Sequence, residues 1–76
     1  MDYLQRIADI LQEGDLVSFG FSDKYITVDI RAEGGYEANI YDSKVAFMNE
    51  EEPLDGGIFE GESALEALNF FCEDLL

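Results

Sequence analysis

Glu50, Glu51, Glu52 and Asp55 crowd one short stretch of this 76-residue chain, and Glu60, Glu62, Glu66, Glu73 and Asp74 follow with no lysine or arginine among them. Carboxylates at this density can exchange protons, hold a hard cation, or present negative charge to a basic partner. Proton chemistry lacks its usual companion. Histidine, the commonest general base and the usual partner of a serine or cysteine nucleophile, is absent. Cys72 falls on an apolar helical stripe, where cysteine behaves as a small core residue. The glycine pairs Gly34-Gly35 and Gly56-Gly57 match neither a phosphate loop nor a dinucleotide fingerprint. The sequence predicts no enzyme and no cofactor.

Cation binding is little better supported. Glu50, Glu51, Glu52 and Asp55 are hard oxygen donors, but their spacing lacks the alternating ligands, central glycine and terminal bidentate glutamate of a calcium-binding loop. A transition-metal site needs histidine or paired cysteines. Weak, adventitious cation binding is the expectation, with no specific metal site.

The third use fits the totals. Eighteen acids stand against four bases, a formal net charge of −14. Residues 1–49 hold nine of the acids and all four bases (Arg6, Lys24, Arg31, Lys44), a net of −5. Residues 50–76 hold the other nine acids and no base, a net of −9. Solubility asks only for a net charge of about 2–8 in a small domain, and charge of one sign destabilises the compact state. A compact domain of this length has a radius of gyration of about 11 Å and a diameter of roughly 30 Å. Duplex DNA carries on the order of 18 charges over that distance. The protein approaches the charge per length of the duplex, so its expected partner is a basic, nucleic-acid-binding protein. Direct binding of nucleic acid is excluded, because four scattered bases cannot neutralise a phosphate backbone.

A scaffold must hold these acids, and the chain has the apolar matter for one. Hydrophobic residues are 47% and aromatics 13%, so the sequence folds despite its charge. Residues 2–13 have helical periodicity in Leu4, Ile7, Ala8 and Leu11, with Asp2 near the helix start and Gly14 as the stop. From 16 to 47 the period falls to two: Val17, Phe19 and Phe21, then Ile26, Val28 and Ile30, then Tyr36, Ala38 and Ile40. Ser22-Asp23-Lys24 and Glu33-Gly34-Gly35 supply the turns. Val45-Ala46-Phe47-Met48 reads as a short fourth strand or an extension of the third, and 49–57 as an exposed loop. The last helix opens with a capping box, Ser63 and Glu66. Leu65, Leu68, Cys72 and Leu75 form its apolar stripe, while Glu62, Glu66, Asn69 and Glu73 lie opposite. It ends in Glu73-Asp74, where the helix dipole disfavours acids. The predicted class is α+β: one compact domain, 1–76, with an N-terminal helix, a three- or four-stranded antiparallel sheet and a C-terminal helix, both helices covering one sheet face. On the strands, Asp29 and Glu37 share the solvent-facing parity with Tyr25 and Tyr41, and tyrosines among carboxylates suit a protein interface.

In size, charge and element order the chain resembles the small acidic inhibitors of bacteriophages and mobile elements, which include anti-CRISPR and other DNA-mimic proteins. The resemblance implies an acidic inhibitor whose Asp and Glu side chains stand in for phosphates and block a basic DNA- or RNA-binding enzyme, with a CRISPR effector or another host defence nuclease as the expected target. The same electrostatics would serve an immunity protein against a nuclease toxin. An adaptor domain without mimicry, acidic because its host is salt-loving, is the reading from another class. The expected setting is the cytoplasm: one cysteine cannot form an internal disulfide, and neither a secretory leader nor an apolar span is visible. Anionic membrane surfaces would repel the chain. The expected assembly is a monomer or small homo-oligomer.

Overall fold

A computed structural model describes residues 3–75, with side chains through Glu73. The expectations for Asp2, for the Asp74 and Leu75 side chains and for Leu76 lie outside the described residues. The fold is α+β. Helix α1 (Tyr3–Gln12) leads into strands β1 (Val17–Phe21), β2 (Lys24–Ile30) and β3 (Tyr36–Tyr41). A short helix α2 (Lys44–Met48), a strand β4 (Asp55–Phe59) and helix α3 (Ala64–Phe70) follow, and α3 runs on into a π-helical turn, Phe71–Leu75. The strands pair antiparallel in chain order, β1-β2-β3-β4.

Local chemistry accounts for most of these boundaries. Gly14 takes φ +104°, a conformation that side chains disfavour, and ends α1. Ser22 and Asp23 both adopt positive φ in the two-residue turn that sets Phe21 opposite Lys24. Gly34 and Gly35 turn β2 into β3, and Gly35 is irreplaceable by geometry. A Cβ there would stand 2.4 Å from the Phe59 carbonyl oxygen. Ser63 caps α3 as its sequence predicts, its hydroxyl accepting from the Glu66 N–H at 3.2 Å.

The core lies on one face of the sheet. Ile7, Ala8 and Leu11 of α1, and Ala64, Ala67, Leu68, Phe71 and Cys72 of α3 and its last turn, pack with Val17, Phe19, Ile26, Val28, Tyr36, Ala38 and Ile40. The two helices also pack on each other, and the Gln12 side-chain oxygen accepts from the Ala64 N–H at 3.3 Å. Burial pushes the Cys72 thiol up from an ordinary value of 9.0 to about 11, and the nearby charge of Glu73 adds to the rise.

Two expectations are corrected here. Val45–Met48 is neither a fourth strand nor an extension of β3. It lies in α2, started by the Ser43 hydroxyl accepting from the Ala46 N–H at 3.1 Å. The fourth strand is β4, whose first residues were expected in a loop. Its sequence, Asp-Gly-Gly-Ile-Phe, has too few side chains to show alternation, and glycine weakens strands. Close approach explains Gly56, where a Cβ would meet the Ala38 carbonyl oxygen at 3.2 Å.

Candidate functional site

Most acids singled out by sequence are positioned by β4 and the segments entering and leaving it. Beyond α2 the chain folds back: Glu50 N–H donates to the Phe47 carbonyl and Glu51 N–H to the Ala46 carbonyl. Glu50 takes φ +59°. These bonds pin the backbone and leave the Glu50, Glu51 and Glu52 side chains exposed. Leu54 N–H donates to the Ile40 carbonyl at 2.7 Å, which delivers Asp55 to its register position opposite Ile40. At the other end of β4, Glu60 and Glu62 border a hollow of 550 Å³ with Arg31 and Glu33 of the β2–β3 turn. The buried Tyr36 holds that junction, its hydroxyl donating to the Glu62 carbonyl at 3.2 Å.

Register sets a second, smaller group of acids on the sheet face away from the core. Asp29 faces Glu37, and Glu37 faces Ile58, making one row over three strands. From Asp55 to Glu60 the chain advances about 17 Å, a length over which one DNA strand carries about five phosphates. Glu37 lies one strand inward from Ile58 and Asp29 two, whereas Asp55, paired with the buried Ile40, has the parity of the core face and stands at its rim.

Every aspartate and glutamate side chain described is exposed. Among the described residues, ion pairs join only Lys24 to Asp42, at 3.5 Å, and Arg31 to Glu33, at 2.7 Å. Neither pair involves an acid beyond residue 49. No group of three or more His, Cys, Asp or Glu among the described residues is arranged to hold a metal ion. No helix among them is long and apolar enough to cross a membrane.

The expected residues do not form one patch. Glu66 and Glu73 ride on the helix layer, behind the sheet face that carries Asp29 and Glu37. Tyr41 is half-buried. Phe47 of α2 packs on both Tyr41 and Tyr25, with ring centroids 5.2 Å apart in each case. The tyrosines support α2 more than they present open rings.

No protein-family model, curated protein or solved structure matches the chain.

Sequence reasoning missed the apolar side chains set among the acids. Val45, Met48, Leu54 and Ile58 are exposed at 65%, 67%, 60% and 47%. Met48 and Leu54 bracket the acidic run, and a leucine inside so polar a segment was the signal available. Such residues give an acidic surface something to bury against a protein partner.

Proposed function

We propose that this chain is an acidic protein inhibitor whose carboxylates take the place of nucleic-acid phosphates on a basic, nucleic-acid-handling enzyme, a CRISPR effector or another defence nuclease. It would act in the cytoplasm of the cell whose enzyme it blocks, with a mobile element such as a phage as its source. The observation that carries this reading is the group Glu50–Glu52, Asp55, Glu60 and Glu62, exposed around β4 and outside the ion pairs of the described residues. Exposed Leu54, Met48 and Ile58 favour a docking surface over an acidic coat kept for salt tolerance. The chemistry is occupancy: Glu50–Glu52 and Asp55 engage lysines and arginines that otherwise bind phosphate, and the apolar residues exclude water from the contact.

The test is a cleavage assay on purified CRISPR effectors and defence nucleases, with the wild-type chain and a Glu50→Gln, Glu51→Gln, Glu52→Gln triple variant. Inhibition by the wild type should fall steeply with added salt, and the triple variant should lose about tenfold or more in apparent affinity. Inhibition that survives both this variant and neutralisation of Glu60 and Glu62 would sink the reading, as would no inhibition of any enzyme in the panel.

A further inference from the structure

The β1 edge is built to accept another strand. A two-residue turn closes β1 onto β2, so Phe21 and Lys24 form the hydrogen-bonded closing pair, and Phe19 and Val17 repeat that role at every second position. Leu16, Ser18 and Gly20 therefore direct their N–H and C=O groups away from β2. Among the described residues one of these groups is engaged: the Gly20 carbonyl accepts from the Tyr3 hydroxyl at 3.3 Å. Tyr3 is itself 51% exposed and free to yield. The usual guards of a strand edge are missing, since Val17–Phe21 has no charge and no proline, and its register with β2 runs without a bulge.

The side chains along this edge say what fits it. Leu16 is 61% exposed where the chain enters β1. Gly20 borders a hollow of 490 Å³, shared with Ser18, Tyr25, Lys24 and Lys44. A Cβ on Gly20 would meet only the Lys24 carbonyl oxygen, at 3.7 Å. Leu16 and Gly20 lie symmetrically about Ser18. A two-fold axis at Ser18 would set Ser18 opposite its own copy and Leu16 of each chain opposite Gly20 of the other. All three outward-facing residues then form hydrogen-bonded pairs, and each leucine enters the hollow beside a glycine.

We propose that β1 is the seam of a symmetric dimer, in which a second copy of this chain pairs its β1 antiparallel with the first. The same axis sets Val17 opposite Phe19. Ile10, 49% exposed and lining a hollow with Leu16 and Val17, then approaches Tyr3 of the second copy, which packs on Phe19 with centroids 6.0 Å apart. Charge follows the same symmetry. Glu13 and Asp15 precede the strand, and antiparallel pairing brings them to the far end of the other copy, where Lys24, ion-paired to Asp42, and Lys44 stand with Asp23. The two β4 strands become the outer edges of one eight-stranded sheet, which holds the strongest like charges apart. Isologous pairing of this kind closes on itself and does not propagate. The proposal stands independently of the proposed function, because β4 remains open in both copies.

Sedimentation of the full chain from micromolar to millimolar concentration tests it, with amide hydrogen exchange read by NMR on the same samples. The expected result is a mass that rises to two chains, with Ser18 and Gly20 amides gaining protection as it does. Leu16→Lys and Gly20→Val should each weaken the dimer about tenfold or more, with circular dichroism and melting temperature unchanged. A single-chain mass throughout the range overturns the proposal. So does a dimer indifferent to both substitutions. Protection of Ser18 and Gly20 that arises only when a basic nuclease is added would also overturn it, assigning the edge to a strand of that enzyme.

Discussion

At one edge of the sheet β1 runs from Val17 to Phe21 without a charged side chain, flanked by exposed Tyr3, Ile10 and Leu16. At the other, β4 is preceded by Glu50–Glu52, begins at Asp55 and is followed by Glu60 and Glu62. Both edges end the same four-stranded ladder and back onto the same core, so their contrast is not a matter of fold. Charge near β4 discourages strand addition and offers electrostatic attraction to a basic surface. Within β1 itself no charged side chain intervenes, so this edge offers outward backbone groups and exposed Leu16. One small sheet thus carries two unlike edges, three strand spacings apart.

Their common dependence on the core gives the largest expected effect. Phe71 is fully buried, and Phe71→Ala should cost about 3–5 kcal/mol, measured by denaturant unfolding. A 76-residue domain has roughly 4–11 kcal/mol in total, so both edges should lose order together. If β1 amides kept their protection while those of β4 lost theirs, the edges would be separate folding units and the comparison would need redrawing.

The pH response should weigh on the β4 side first, because the final turn carrying Cys72 packs behind β4. With its thiol raised from 9.0 to about 11, the folded chain keeps a proton that the unfolded chain releases. The associated stability is complete below the ordinary thiol value and is lost as pH climbs toward 11, amounting to roughly 2–3 kcal/mol. Unfolding free energies at pH 8 and pH 11 should differ by about that much more in the wild type than in Cys72→Ala. Equal differences would remove Cys72 from the account.

A pair of alanine substitutions sharpens the contrast further. Gly56→Ala on β4 must accommodate an Ala38 oxygen at 3.2 Å and should destabilise by about 1 kcal/mol, whereas Gly20→Ala on β1, with 3.7 Å to its nearest atom, should change stability by under about 0.5 kcal/mol. Reversal of that order in thermal melts would contradict the spacing. The smallest expected effect is that of salt. Screening should stabilise the wild type by a few tenths of a kcal/mol, and the Glu50–Glu52 glutamine variant by less.

Much of the fold was legible because side-chain period and backbone chemistry agreed. Val17, Phe19, Ile26, Val28, Tyr36, Ala38 and Ile40 alternate as strands with one buried face, and Ser63 with Glu66 marks the start of α3. The two elements that were misread are those where the signal is carried by something else. α2 depends on the Ser43 cap and on Phe47 resting over Tyr25 and Tyr41, a tertiary contact invisible to periodicity. β4 depends on glycines chosen for close backbone approach. Thr27 shares the parity of Tyr25 and Asp29 and is nonetheless buried, since α2 packs onto β2 and β3. The acids were legible as a group but not as a surface. Charge gives no period, so the separation of Glu66 and Glu73 from Asp29 and Glu37 emerges only with the layers.

The bond from the Ala64 N–H to Gln12 bears on the order of assembly. The sheet pairs only neighbours in the chain, so its hairpins can form one after another during synthesis. α1, made first, has its helical partner only when α3 is complete. Until then α1 can rest on β1 and β2, but the parts of its stripe and of the sheet's inner face that α3 covers stay open to aggregation and proteolysis. The lifetime of the nascent protein is accordingly set by how soon the last helix closes over the first.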